Sequence, residues 1–352
     1  MSLMRASSPH ARSGDSAARV MLQVAAATVP GVLALVLYFG IGVLINIALC
    51  TITAIACEAA VMKLRNRPVV FYLKDYSAFV TALLLGIAIP PYCAWWIPVV
   101  GTASAIILAK HLYGGMGYNP FNPAMVGYVV LLISFPVAMT RWVGPAEMIY
   151  GAPGLSETLG LVFGFGNINV DGFTRATPLE IVRLNQSVLL EQLYQREPMF
   201  NKGSIAGYGW EVASFGFLVG GLFLLLRRII TWHAPVAMLG TLTLLSVLFY
   251  DSGSSLSEGS PLLHLFSGAT MLGAFFIITD PISGATSNKG RLIFGAGVGL
   301  LTYVIRAWGS YPDAVAFAVL LMNFAAPTID NYTLPRTYGH KAPRKATDVE
   351  EQ

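Results

Sequence analysis

The sequence predicts an all-α polytopic membrane protein of about ten transmembrane helices, arranged as two inverted halves of five with one large periplasmic loop. Three observations lead there. Hydrophobic residues make up 55% of the 352 and charged residues 11%, with a mean hydropathy of +0.64, whereas a soluble domain carries about 25% charged residues. Ten windows are long and apolar enough to span a bilayer, and most Lys and Arg fall on one side of them. The same composition excludes a disordered chain, a collagen-like fibre, a disulfide scaffold and a coiled coil.

The windows lie near 20–39, 41–62, 77–92, 94–110, 123–140, 210–226, 234–250, 262–279, 292–308 and 312–328. The polar, basic stretch before the first lacks a clean cleavage site, so that span is expected to be a retained anchor. With both termini inside, the inner segments carry sixteen of the 22 Lys and Arg, Lys110 among them, and Arg306 falls outside. The chain then divides into a cytoplasmic N-terminal segment (1–19), a first membrane half (20–142), a periplasmic loop (143–209), a second membrane half (210–328) and a cytoplasmic tail (329–352). A net charge of +4 spread this thinly predicts orientation in a bilayer and no nucleic-acid partner.

Punctuation recurs five spans apart, an odd number, so two such copies would be inverted in the membrane. Ser77 to Pro91 matches Ser267 to Pro281 in length and ends, and Tyr113-Gly114 is echoed by Trp308-Gly309. Asn119-Pro120-Phe121-Asn122-Pro123 and Asp280-Pro281 would break helices at corresponding places, as in inverted-repeat transporters. They also serve as ordinary helix terminators at the cytoplasmic interface. Asp280 is the acid best placed for an ion pathway, because a carboxylate at the end of a span must be hydrated, paired or used. Capping its own turn is the simpler role.

In the loop, six acids oppose four bases, so it is no basic lipid-binding patch. Apolar spacing predicts one helix over Leu179 to Tyr194, lying on a membrane or a neighbouring protein of a complex. Thr177-Pro178-Leu179-Glu180 opens it as a capping box with Pro at the first helical position. Free backbone N–H groups at a helix start also suit a phosphate, so a hydroxyl there can both cap and carry an ester. Cys50, Cys57 and Cys93 lack CxxC spacing, and the five histidines lack ligand spacing, so neither an iron-sulfur nor another metal site is expected within this chain.

Several long stretches are similar to the RnfD (RsxD) family of Rnf electron-transport complexes, related to NqrB of the sodium-pumping NADH:quinone reductase. They are Leu73-Lys74-Asp75, the run from Tyr113 to Ala124, the run from Gly127 to Pro136, Ser267 to Phe276, Thr279-Asp280-Pro281, and Gly290 to Gly295. The resemblance covers nearly the whole chain. It implies a multi-pass subunit of the bacterial inner membrane, within a translocase that couples electron transfer from NADH or ferredoxin to ion movement. Partner subunits A, B, C, E and G are implied with it.

In that family a flavin transferase esterifies FMN through its phosphate to a threonine in a pattern resembling D-x-x-[ST]-[GAS]-A-T. Asp171, Thr174, Ala176 and Thr177 supply this pattern, although Arg175 stands where a small residue is usual. Asp280 to Thr286 matches the text more closely, and Ser267 to Thr270 lacks the Asp. The transferase works outside the membrane, whereas the charge pattern puts Thr286 inside and Thr270 within a span, so Thr177 is the expected acceptor. Relatives also hold a noncovalent riboflavin among their spans. Without the resemblance, a small-solute channel of inverted-repeat type and a non-redox structural subunit remain open. The first predicts solute uptake by the chain alone, and the second predicts electron transfer without the loop flavin.

Overall fold

A computed structural model of the chain describes residues 16–149, 153–165, 172–185, 188–200, 204–254, 257–309, 311 and 313–333. Asp171 and most of both expected terminal segments lie outside the described residues. Among the described residues the chain is helical, with an isolated β-bridge between Val143 and Thr174.

Helix α1 (Ala17–Phe39) starts at Ser16, whose hydroxyl accepts from Arg19 N at 3.3 Å, and stops at Gly40, where φ is +91° and the N–H returns to Val36 O. Such a left-handed residue at a helix end is a position for glycine. The chain turns at once into α2 (Gly42–Leu64). Each of these helices has 23 residues, a length of about 35 Å at 1.5 Å per residue, which exceeds a hydrocarbon core of roughly 30 Å. The short α3 (Val69–Leu73) leads to α4 (Ser77–Ala88), whose first N–H and hydroxyl both donate to Asp75 Oδ1. Helix α5 (Trp96–Ala103) continues as a π-helix over Ser104–His111. Then come α6 (Pro123–Ser134), capped by Asn122, and α7 (Pro136–Thr140).

The loop holds α8 (Leu155–Phe163), α9 (Pro178–Leu184) and α10 (Leu190–Arg196). The second half comprises α11 (Trp210–Leu226), α12 (His233–Leu248), α13 (Pro261–Phe266), α14 (Thr270–Leu272) with a π-helical Gly273–Ile277, α15 (Asn288–Trp308) and α16 (Val315–Thr333). Among the described residues, three helices, α1, α2 and α15, are individually long and apolar enough to cross a membrane, and five further apolar helices are shorter. Apolar residues also face outward, with Leu226 83% and Phe324 78% exposed. A lipid-facing surface accounts for this where a water-facing one does not.

Several expectations need correction. The helix predicted over Leu179 to Tyr194 is two, because α9 ends at Asn185, whose amide donates back to Ile181 O at 2.8 Å. The span predicted over 262–279 is broken at Ser267–Ala269. Ser267 there donates its hydroxyl to Ala206 O in the loop, and Gly268 adopts φ +63°. The stretches Ser77–Pro91 and Ser267–Pro281 differ at their starts: Ser77 begins a continuous helix, whereas Ser267 opens the break. Lys110 and Arg306, counted as interfacial charges, are both buried, at 2% and 4% exposure.

Close backbone approaches fix the helix directions. A Cβ at Gly216 would lie 2.8 Å from Gly31 Cα, one at Gly220 would strike the Ala27 carbonyl, and one at Gly209 would meet the Tyr38 ring, so α1 and α11 cross antiparallel. Gly295 against Ala234 and Gly299 against Met238 run α15 parallel to α12. Gly86 meets Ile47 while Gly42 meets Pro91, which makes α4 antiparallel to α2. Lipid removes the hydrophobic drive for helix association, so such small-residue contacts supply the dispersion energy that holds the bundle together. The halves meet along α1 with α11 and α6 with α16.

The loop is fastened to the bundle. Arg183 donates to Gly309 O, Trp95 N donates to Val162 O at 2.9 Å, and Glu211 accepts from Ser204 Oγ and Ile205 N. Tyr208 donates its hydroxyl to Glu147 at 2.7 Å, and that carboxylate pushes the phenol up to about 12.

Candidate functional site: two cavities between the halves

Two cavities lie at opposite ends of the bundle. The rings of Phe39, closing α1, and Trp210, opening α11, stand 4.8 Å apart and mark one end. The other end is where α1 begins and α11 finishes.

At the first end, Thr177 takes the geometry its sequence predicts. Its hydroxyl accepts from Glu180 N at 3.3 Å, Glu180 Oε2 accepts from Thr177 N at 3.4 Å, and Pro178 follows at the first helical position. The residues before it are clamped to the end of α7, since Gly144 N donates to Phe173 O and Arg175 N donates to Trp142 O. Thr174 bridges Val143, and Ala176 packs half-buried against the core. This clamp swings Thr177 over a cleft between the halves, which Thr177 itself helps to line. The walls are largely apolar and aromatic, including Trp142, Trp210, Phe217 and Tyr311, with Tyr128 and Asp313 supplying polar groups. Trp142 and Trp210 meet edge to face at 4.9 Å. With only seven residues, α9 contributes a small dipole.

The other candidate threonines are placed differently. Thr270 is 0% exposed, donates its hydroxyl to His264 O at 2.8 Å and accepts from Arg306 Nη2. Thr286 is exposed but belongs to the opposite end, where its N–H donates to Asp330 at 2.9 Å.

The second cavity is lined by the start of α1, by Lys110 and Asn122, by Phe275, Phe276 and Phe294, and by Asp280. Asp280 caps its own turn, accepting from Ser283 Oγ at 2.7 Å, and also faces this space. Asn122 ties the halves together: its backbone N donates to Asn323 Oδ1 at 3.1 Å, and Asn323 donates on to Ser283 O at 2.9 Å. Both motifs read as helix breaks thus converge at one place.

Sequence reasoning missed the charges inside the bundle. Lys110 Nζ donates to both Glu58 oxygens, at 2.8 and 2.7 Å, and to Ser77 Oγ at 2.8 Å, with Glu58 1% exposed. Arg306 donates to His264 O and to Thr270. A lone Glu within an apolar span was the available signal for the first pair, since an intramembrane charge calls for a partner. Asp313 carried no local signal.

The family model described as NQR2, RnfD, RnfE matches residues 4–339. A protein of Cellvibrio japonicus (strain Ueda107), named as the D subunit of an ion-translocating oxidoreductase complex, is 56% identical over 351 residues, covering 99% of this chain and 98% of that protein. Proteins with the same name from Pseudomonas aeruginosa (strain UCBPP-PA14) and Aliivibrio salmonicida (strain LFI1238) are 55% and 51% identical, covering 97% of this chain in each case and 97% and 99% of the relatives.

Proposed function

The chain belongs to the NQR2, RnfD, RnfE family, and from that premise we propose that it is the membrane subunit of an Rnf-type complex that relays electrons through an FMN esterified to Thr177. The observation that carries this reading is the place of Thr177 at the edge of a large, aromatic-walled cleft, while Thr270 is sealed in the core and Thr286 sits at the far end. The antiparallel crossings of α1 with α11 and α2 with α4, and the parallel run of α12 and α15, support ten spans in two inverted halves of five, and the distribution of Lys and Arg supports cytoplasmic termini with residues 143–209 on the periplasmic face of the bacterial inner membrane.

The residues fit the group. Trp142, Trp210 and Tyr311 offer flat faces for a tricyclic ring and exclude water from it, and Asp313 keeps a buried, unpartnered oxygen there. Bound FMN would supply the redox chemistry, and the chain supplies position and environment. Once esterified, the Thr177 oxygen still faces Glu180 N, and Arg175 offers a cation beside the phosphodiester. Asp171, Thr174 and Ala176 act as recognition positions for the flavin transferase. Electrons reach the site from NADH or ferredoxin through partner subunits. With the transferase present, flavin fluorescence of the denatured chain should survive Thr286→Ala and vanish in Thr177→Ala; loss in Thr286→Ala alone overturns the assignment.

The second cavity suits the noncovalent riboflavin, with phenylalanine walls and amide and hydroxyl groups around them. Asp280 is assigned to the ion pathway because it faces that cavity at the break between π-helix and turn. Asp280→Asn is expected to lower sodium or proton uptake by vesicles severalfold at unchanged electron flux. Unaltered uptake per electron removes Asp280 from the pathway.

A further inference from the structure

We propose that Asp313 is the acceptor that grips the imide edge of the flavin tethered at Thr177, holding the ring system inside the cleft between the two halves. The inference rests on the tether proposed above and adds a binding residue to it.

Asp313 stands just before α16 and lines the same cleft as Thr177. Tyr128, the backbone N–H groups of Val315 and Ala269, and the charge of Arg306 lie around its carboxyl group. Arg306 is itself fixed by its bonds to His264 O at 2.8 Å and Thr270 Oγ1 at 2.9 Å. Asp313 Oδ1 nevertheless has no partner although it is buried. A side chain at Gly268 would approach both this oxygen, at 3.8 Å, and Arg306 Nη2, at 3.1 Å. The bare glycine therefore leaves room beside the carboxyl group, at the wall of the cleft that Gly268 also lines.

A buried acceptor without a donor is costly, more so when it carries charge. The structure thus holds a carboxyl oxygen without a partner in a cleft whose other walls are mostly rings and alkyl groups. Its complement is a flat aromatic system with one hydrogen-bond donor on an edge. The isoalloxazine has such an edge, its N3–H between two carbonyls, and Thr177 would tether the other end of the same molecule. Two anchor points on one ligand explain why both a hydroxyl and a carboxylate face this cleft.

The test uses the full chain purified after co-expression with its transferase, taking as signal the flavin fluorescence absent from Thr177→Ala. In the wild type this signal should be quenched by the surrounding rings and insensitive to iodide. In Asp313→Ala the flavin should remain attached on a denaturing gel, while its native fluorescence and its iodide quenching both rise several-fold. Asp313→Asn, which keeps an acceptor oxygen, should stay close to wild type. Should Asp313→Ala fail to fold, wild-type chain loaded with 3-methyl-FMN, which lacks the donor, should show the same release. Attached flavin as shielded in Asp313→Ala, or as 3-methyl-FMN, as in the wild type overturns the inference. Absence of any Thr177-dependent flavin in the wild type removes the tether, and the grip with it.

Discussion

Thr177→Ala is expected to abolish electron transfer through the complex beyond this chain, leaving only the flux seen when the chain is missing. Removing the hydroxyl does two things. It removes the N-cap of α9, at a cost of about 1 kcal/mol, and it removes the atom to which the phosphate would be joined. The first effect is confined to a seven-residue helix fastened through Arg183 to Gly309, so the bundle should assemble normally. Thr177→Asn separates the two effects, because asparagine caps well and offers no hydroxyl to esterify. It should lose flux as completely as alanine, while Thr177→Ser, which keeps both functions, should retain it. Flux is measured as acceptor reduction in membranes, with protein levels checked by immunoblot. Normal flux in Thr177→Asn would leave Thr177 with a capping role only.

The second large effect concerns Glu58 and Lys110. Both are buried, and the ammonium spends all three donors on Glu58 and Ser77. Breaking such a pair from one side strands a charge, which costs about 3–5 kcal/mol, whereas replacing both partners with apolar groups is often close to neutral. Glu58→Ala should therefore lower the apparent Tm of the detergent-purified complex by several degrees and reduce its yield. Glu58→Leu combined with Lys110→Met should recover most of that loss. Similar melting of the single and double variants would mean that the pair does not stabilise the bundle through mutual charge compensation.

These two sites differ in how far they were legible beforehand. The span windows followed from composition, since a bilayer admits only helices of a given length and apolarity, and the helices found near 17–39, 42–64, 210–226 and 233–248 sit close to their windows. Thr177 was visible because a capping box is a local pattern of four residues. What failed was non-local. Periodicity continued through Asn185, yet the side chain there folds back on Ile181 and ends the helix. The span at 262–279 broke because Ser267 finds its partner in the loop at Ala206, 61 residues away. In sequence, Lys110 counts only as an inner-side orientation charge, because its partner lies 52 residues away on another helix. Asp313 gains its meaning from Tyr128, Arg306 and Gly268, which only folding brings together.

The most direct test of the central claim is mass spectrometry of the tryptic peptide Ala176–Arg183 from complex that is actively transferring electrons. The account predicts a peptide heavier by FMN less one water, with fragment ions placing the addition on Thr177. An unmodified peptide from fully active complex would contradict it.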